Sequence, residues 1–186
     1  IRLRPNILAG GHIKISTGHD KSKFGIPVDR IDQVLEVVRK HNMLIRDLHI
    51  HTGSEIQDVD VFIRGIEILF DLTHHFPELQ FIDLGGGFKV ISRPGDKETD
   101  ISLLAEKIAA ALAKHPYQNG KPLQVWFEPG KFMVSEAGYF ITRVNVIKET
   151  SAATFVSVDS GFNHLIRPMF YDAYHPIENV SNPQGP

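Results

Sequence analysis

Cysteine is absent from the 186 residues, and this absence excludes several classes of protein. These residues hold no disulfide scaffold, no zinc–thiolate site and no cysteine nucleophile. The composition fits a reducing compartment, and we expect the cytoplasm. An excess of one charge is also lacking, since 20 Lys and Arg residues stand against 22 Asp and Glu residues. We therefore expect neither nucleic acid nor a membrane as a partner.

Long hydrophobic runs are lacking as well. No apolar stretch approaches the roughly 20 residues that a membrane-spanning helix needs. The first residues, IRLRPNILAGG, resemble a strand in progress rather than a signal peptide. The last residues, IENVSNPQGP, are polar and typical of a loop. We expect the chain to be an internal piece of a longer protein.

Short β-like runs alternate with helix-period stretches over most of the chain. Strands are predicted at residues 3–7, 43–50, 81–84 and 123–127. A polar loop is expected from Gly10 to Gly25. Apolar residues at helical spacing predict helices around residues 31–38, 62–73 and 104–112. Repeated strand–helix units favour an α/β fold with parallel strands, either a Rossmann-type open sheet or a (β/α)₈ barrel.

The alternation of predicted strands and helices ends after residue 138. Strands are predicted at 139–148 and 154–158 with no helix between them. We therefore predict one domain over residues 1–138 and the start of a β-rich domain over residues 139–186.

Three glycines directly follow the strand at 81–84. Gly85, Gly86 and Gly87 allow a sharp turn and can point several backbone N–H groups at one anion. A phosphate cradle and a simple tight turn are equally good interpretations. The sequence is not GxGxxG, so a dinucleotide fingerprint is weak here.

Another strand end carries HTGSE. The Ser54 hydroxyl could bind a phosphate, and His51 could stack on a planar ring or act as an acid or base. His49 and His51 also form an HxH pair like that of binuclear-metal hydrolases. We disfavour a metal, because the later strand ends offer glycines and Glu-Pro-Gly, and because the pair His74-His75 is expected within a helix. His49 is then a residue of the barrel interior.

The strand at 123–127 ends in Glu128-Pro129-Gly130-Lys131. Glu128 could pair with a protonated ring nitrogen or act as a base, and Lys131 could bind a phosphate or carboxylate; a plain β-turn is the alternative. Further on, Arg167 could bind a carboxylate through its bidentate fork, or form a surface ion pair. Arg167 and Tyr171 are expected on a loop because Pro168 disfavours a helix interior.

These motifs, in this order, resemble the fold-type III pyridoxal-phosphate decarboxylases, and among them those acting on diaminopimelate. The matching segments are STGHDKSKFGI, DLHIHTGSEI, IDLGGGF, FEPGKFMVSEAG and VDSGFNHLIRPMFYDAYHPI. The resemblance implies the later strands of a (β/α)₈ barrel leading into a C-terminal β-domain. It also implies pyridoxal 5'-phosphate as cofactor, a small amino acid as substrate and a homodimer as the intact enzyme.

The resemblance assigns roles residue by residue. His51 corresponds to the histidine that stacks on the cofactor ring, and Glu128 to the acid that pairs with the pyridine nitrogen. The phosphate binders are Ser54 and the turn 85–87. The cofactor-binding set is completed by the rest of the strand-end turn, namely Pro129, Gly130 and Lys131. Arg167 and Tyr171, with Lys131, correspond to substrate-binding residues. Lys131 departs from the family pattern, which has Arg after Glu-Pro-Gly.

Two family features are absent from these residues. No Tyr-Ala-x-Lys-like segment supplies the lysine that binds the cofactor covalently, and the C-terminal cysteine is missing. We therefore identify no catalytic residue within this segment and expect the segment to be inactive alone.

The resemblance implies that the parent enzyme converts meso-2,6-diaminopimelate into L-lysine and CO2. Racemases of the same fold place an arginine at the ring nitrogen, so Glu128 favours a decarboxylase. The distal carboxylate of diaminopimelate suits the cations Arg167 and Lys131. The alternatives are another amino-acid decarboxylase, a racemase, or a non-catalytic protein that binds pyridoxal phosphate.

Overall fold

The computed structural model describes residues 1–7, 9, 18–115, 117–118 and 120–185. The first half of the predicted loop from Gly10 to Gly25, residues 10–17, lies outside them. The described chain divides into two compact units, Ile1–Val90 with Lys97–Ser135, and Ile91–Asp96 with Glu136–Pro186. The segment Ile91–Asp96 groups with the second unit, which the sequence did not indicate. The predicted domain boundary after residue 138 stays a prediction.

The first unit alternates strands and helices. Its elements in chain order are β1 (Arg2–Arg4), β2 (Ile26–Pro27), α1 (Ile31–Lys40), β3 (Asp47–Ile50), α2 (Asp60–Leu72), β4 (Phe81–Asp83), α3 (Ile101–Lys114), β5 (Tyr117–Gln118), β6 (Lys121–Pro122), β7 (Gln124–Trp126) and α4 (Gly130–Val134). The pair β5 and β6 forms a small antiparallel sheet. Three-residue 3₁₀ helices precede α1 and follow α2.

Five strands form one parallel sheet in the order β2-β1-β3-β4-β7. Within this sheet β1, β3, β4 and β7 follow one another in chain order, whereas the two-residue β2 lies on the other side of β1. A Rossmann-type sheet reverses its strand order at a switch point, whereas a (β/α)₈ barrel does not. Because β2 interrupts the order at β1, the described sheet alone does not decide between the two architectures.

Side-chain alternation gives the sheet two different faces. One face is apolar and packs with the helices in a single core, in which Leu48, Ile50 and Ile82 are fully buried. The opposite face carries Arg2 and Arg4 of β1, Asp47 and His49 of β3, Phe81 and Asp83 of β4, and Gln124 and Trp126 of β7. This face therefore combines ionisable side chains with two aromatic rings, those of Phe81 and Trp126, which stack on each other at 4.0 Å.

A capping side chain fixes the start of α3, and buried apolar faces hold α1, α2 and α3 against the sheet. Asp100 caps α3, since its carboxylate accepts a hydrogen bond from the Leu103 N–H at 2.8 Å. The predicted apolar faces of α1, α2 and α3 are the faces that supply buried core residues. The strands β1, β3, β4 and β7 are shorter than predicted, because pairing in the sheet covers only part of each apolar run. His74-His75 lies in the 3₁₀ turn after α2 and not within the helix, which corrects the prediction.

The second unit contains β8 (Val144–Glu149), β9 (Thr154–Val158) and α5 (Arg167–Tyr171). The two strands pair antiparallel, with a register shift between Val144 and Val146. No helix lies between them, as predicted. The expectation of a loop at 167–171 was wrong, because Pro168 stands in the first turn of α5, where a helix tolerates proline.

Candidate active site

The carboxyl ends of β3, β4 and β7 are joined to one another by backbone hydrogen bonds. The Glu128 N–H donates to the Gly85 carbonyl at 3.0 Å, and the Ile56 N–H donates to the Gly87 carbonyl at 2.9 Å. The loops after three successive strands therefore meet, as expected where the active site of a (β/α)₈ barrel lies. Predicted site residues from three separate segments are brought together here.

The glycine turn is required by these close approaches. A side chain on Gly86 would overlap the Glu128 carbonyl oxygen, and one on Gly87 would overlap the Gly53 carbonyl oxygen. Gly85 and Gly87 also adopt positive φ angles of 70° and 90°. These close approaches and positive φ angles are enough to explain the three glycines as a tight turn, with no phosphate needed.

Two of the three glycine N–H groups already have partners. Gly85 N–H donates to the Asp83 carboxylate at 2.8 Å, and Gly86 N–H donates to His51 Nδ1 at 3.2 Å. Gly87 is less buried than these two glycines. It lies beside Ser54, because a Cβ atom added to Gly87 would lie only 3.1 Å from the Ser54 Cα. An anion would therefore bind at Gly87 and Ser54 rather than across the whole turn.

His51 is held as a neutral ring. Its Nδ1 accepts the Gly86 N–H, which leaves the ring proton on Nε2. Burial lowers the pKa of His51 below the ordinary value of histidine, and the Arg2 guanidinium adds to this effect. A neutral, oriented imidazole suits a flat contact with a planar ring better than it suits an ion pair.

Glu128 stands at the end of β7 with its side chain 57% exposed. Its carboxylate oxygen Oε2 lies 3.4 Å from His49 Nε2. Asp83 completes this group, since one possible ligand atom from each of the three residues lies within 4.8 Å of the others. Glu128 was predicted at a strand end, but Asp83 was not predicted as a site residue. A signal for Asp83 was available, because Phe81 and Asp83 are two residues apart on β4 and therefore share one face of the sheet.

His49, Asp83 and Glu128 are also residue types that can hold a metal ion. The predicted HxH site paired His49 with His51, whereas the structure turns His51 toward the glycine loop and His49 toward the two carboxylates. Asp83 already accepts the Gly85 N–H, and the Glu128 carboxylate lies beside His49 Nε2. The expectation that no metal binds here stays a prediction.

Lys131, on the first turn of α4, forms an ion pair with Glu55. Glu55 follows Ser54 and has a positive φ of 60°, so this pair links the loop after β3 to α4. Glu55 was not among the predicted site residues. Lys131 can make the predicted contact with phosphate or substrate only in one of two ways. Its ammonium binds the new partner and Glu55 together, or it breaks the ion pair with Glu55. Pro129 and Gly130 lead into α4 as its N-terminal residues.

A cluster of aromatic side chains packs next to the loops that carry the site residues. The Phe62 ring of α2 lies 5.2 Å from the Phe88 ring, and Phe88 lies 5.6 Å from Phe127 and 5.8 Å from Phe132. Phe88 follows the glycine turn and Phe127 precedes Glu128. This cluster therefore fixes the loop ends that carry the polar groups.

Arg167 and Tyr171 lie at the two ends of α5 in the second unit, each partly buried. The Tyr171 ring packs edge-to-face against Phe170 at 4.8 Å. Their assignment to the substrate stays a prediction.

The first unit's residues fit a pyridine-ring cofactor. A carboxylate, a neutral imidazole and the Gly87–Ser54 corner lie at joined strand ends, and these groups suit a protonated ring nitrogen, a flat ring and a phosphate respectively. No helix in the described part of the chain combines the length and apolarity needed to cross a membrane.

Family models match the whole chain. Residues 1–135 match the pyridoxal binding domain of pyridoxal-dependent decarboxylases, and residues 88–186 match their C-terminal sheet domain. A diaminopimelate decarboxylase of Methanothermobacter thermautotrophicus is 35% identical over 98% of this chain and 44% of its own length. One of Aquifex aeolicus is 34% identical over 95% of the chain and 42% of its own length. The chain thus spans less than half the length of these relatives.

Solved structures agree with the sequence comparison. The Helicobacter pylori diaminopimelate decarboxylase complexed with L-lysine aligns with a TM-score of 0.82 and 31% identity, over 97% of this chain and 45% of that protein. A lysine/ornithine decarboxylase of Vibrio vulnificus, at 23% identity and a TM-score of 0.70, shares the fold. The predicted partial barrel leading into a β-rich region is confirmed. With both halves of the sequence matched, the chain belongs to the pyridoxal-dependent decarboxylase family.

Proposed function

We propose that the intact protein binds pyridoxal 5'-phosphate and decarboxylates meso-2,6-diaminopimelate to L-lysine and CO2. The observation that carries this proposal is the position of Glu128, beside the His51 and glycine loops at joined strand ends. Relatives at 34–35% identity carry that name, and a similar solved structure contains L-lysine. Because those relatives are more than twice as long as this chain, the activity is proposed for the whole protein.

Each residue has a task in this proposal. Pyridoxal phosphate, when bound, supplies a protonated ring that accepts the electron pair left when CO2 departs from the α-carbon. Glu128 would hold the proton at the ring nitrogen, since an adjacent carboxylate favours the charged form. His51 would pack flat against the ring. Ser54 and Gly87 would bind the phosphate.

The substrate's distal end is assigned to Arg167 and Tyr171. A guanidinium can grip the distal carboxylate of diaminopimelate in a bidentate contact. Ornithine and lysine lack that carboxylate, so this contact would select diaminopimelate over them. Lys131 would contribute only if it shares its ammonium with Glu55.

The remaining proposals concern the state of the intact protein. We propose a homodimer in the cytoplasm, supported by the family resemblance and by the absence of cysteine in this segment. Sedimentation of the intact protein at micromolar concentration tests the dimer.

Decarboxylation by the intact protein tests the proposed function. We expect CO2 and lysine from meso-diaminopimelate, and much slower release from L-lysine, L-ornithine and L-arginine. Glu128→Gln should keep the cofactor bound and reduce kcat about 100-fold or more, because a neutral amide no longer favours the ring proton. Glu136→Gln, at an exposed position, is the matched control and should leave kcat unchanged.

The outcomes separate the alternatives. Release of CO2 from ornithine or lysine in preference to diaminopimelate would contradict the substrate assignment. Racemisation without CO2 would indicate a racemase. Cofactor binding without any turnover would indicate a non-catalytic binding protein.

A further inference from the structure

His49 is placed between two carboxylates on the polar face of the sheet. It lies on β3 directly opposite Asp83 of β4, and its Nε2 is 3.4 Å from Glu128 Oε2. The His49 side chain is only 18% exposed, whereas that of Glu128 is 57% exposed. The imidazole is thus the more buried partner of this contact, and the carboxylate is the more exposed one.

The carboxylates of Asp83 and Glu128 indicate a role for the contact between His49 and Glu128. Asp83 and Glu128 carry like charges and offer oxygen atoms within 4.8 Å of the same imidazole. Two carboxylates so close repel each other, and the His49 ring lies near both of them. Arg2 lies opposite His49 on β1, but its guanidinium lies over the Phe24 ring at 5.0 Å. Asp83 is fixed by the Gly85 N–H, so Glu128 is the partner that would move.

We propose that His49 is a positioning residue that holds the Glu128 carboxylate, against repulsion from Asp83, in the orientation that meets the cofactor ring nitrogen. This inference rests on the proposed function for its effect on turnover. The orientation of Glu128 is a property of this chain's own residues. His49 itself would not touch the substrate.

Substitution of His49 in the intact protein tests the proposal. His49→Gln keeps a polar side chain but removes the imidazole that lies beside Glu128, and we expect kcat to fall about 10-fold or more while KM changes less than about threefold. His41→Gln, at an exposed position after α1, is the matched control and should behave as wild type. His49→Asn replaces His49→Gln if the latter does not fold.

Rescue distinguishes positioning from mere packing. Asp83→Asn removes the repelling charge while its amide oxygen can still accept the Gly85 N–H. The double variant His49→Gln/Asp83→Asn should therefore recover most of the lost kcat. A packing role for His49 predicts no recovery, and that result would overturn the proposal.

Crystal structures of the cofactor-free variants give a readout that does not depend on turnover. In His49→Gln the Glu128 carboxylate should turn away from Asp83, and in the double variant it should return. An unmoved Glu128 would contradict the proposal. If wild type fails to decarboxylate diaminopimelate, the proposed substrate is wrong, yet these structures still decide the role of His49. A stoichiometric metal ion at His49, Asp83 and Glu128, found by elemental analysis, would also overturn the proposal.

Discussion

At the scale of single residues, the glycine turn after β4 is set by its neighbours. Gly86 has no positive φ, so its need for glycine comes from the Glu128 carbonyl that passes over it. The close approach of the two backbones brings the Glu128 carboxylate to the His51 loop. The turn therefore shapes the site even where its N–H groups are not free for an anion.

Substitution of Gly86 tests this explanation. Gly86→Ala should lower the free energy of unfolding by about 2 kcal/mol or more, because the new methyl group overlaps a backbone oxygen that cannot rotate away. Gly130→Ala is the matched control, since its Cβ would meet nothing within 4 Å, and should change stability by about 0.5 kcal/mol or less. Chemical denaturation of both variants measures the difference. Equal stabilities would show that the backbones separate at little cost.

Some site residues could be predicted from sequence and others could not. His51 and Glu128 directly follow apolar runs, and Ser54 lies three residues after His51, so their position at strand ends could be predicted. The contact of His49 with Asp83 and Glu128 depends on the register of three strands, and the pair Glu55–Lys131 joins residues 76 positions apart. Such contacts leave no periodic signal in one sequence.

At the scale of elements, helix faces were well predicted because burial enforces the helical period. In α3 the apolar spacing predicted Leu104 and Ile108 as core residues, and both are buried. Strand ends and two-residue strands such as β2 were missed, since they depend on pairing partners. The helix at 167–171 was missed because proline is compatible with a first turn but not with a later one.

Two adjacent leucines of α3 test how the helix packs. Leu104 is 3% exposed and Leu103 is 38% exposed. Leu104→Ala should cost about 2–5 kcal/mol of stability through lost burial and a residual cavity. Leu103→Ala should cost about 0.5 kcal/mol or less. Thermal and urea unfolding of the two variants provide the measurement, and similar losses at both positions would refute the assigned face.

At the scale of the whole molecule, the fold class followed from the strand–helix rhythm, but the choice between open sheet and barrel did not. The similarity to solved structures decides that choice, because strand order is a long-range property and the described sheet, with β2 beside β1, fits both architectures. Likewise, the strand-only pattern predicted two strands with no helix between them, which the structure pairs as β8 and β9, whereas the grouping of Ile91–Asp96 with the second unit had no local signal.

The central claim is that the joined ends of β3, β4 and β7 hold the cofactor. A crystal structure of the intact protein with pyridoxal phosphate tests it most directly. The account predicts the ring nitrogen within hydrogen-bond distance of Glu128, the ring face against His51, and the phosphate at Ser54 and Gly87. A cofactor bound elsewhere, or a ring nitrogen with no contact to Glu128, would contradict the account.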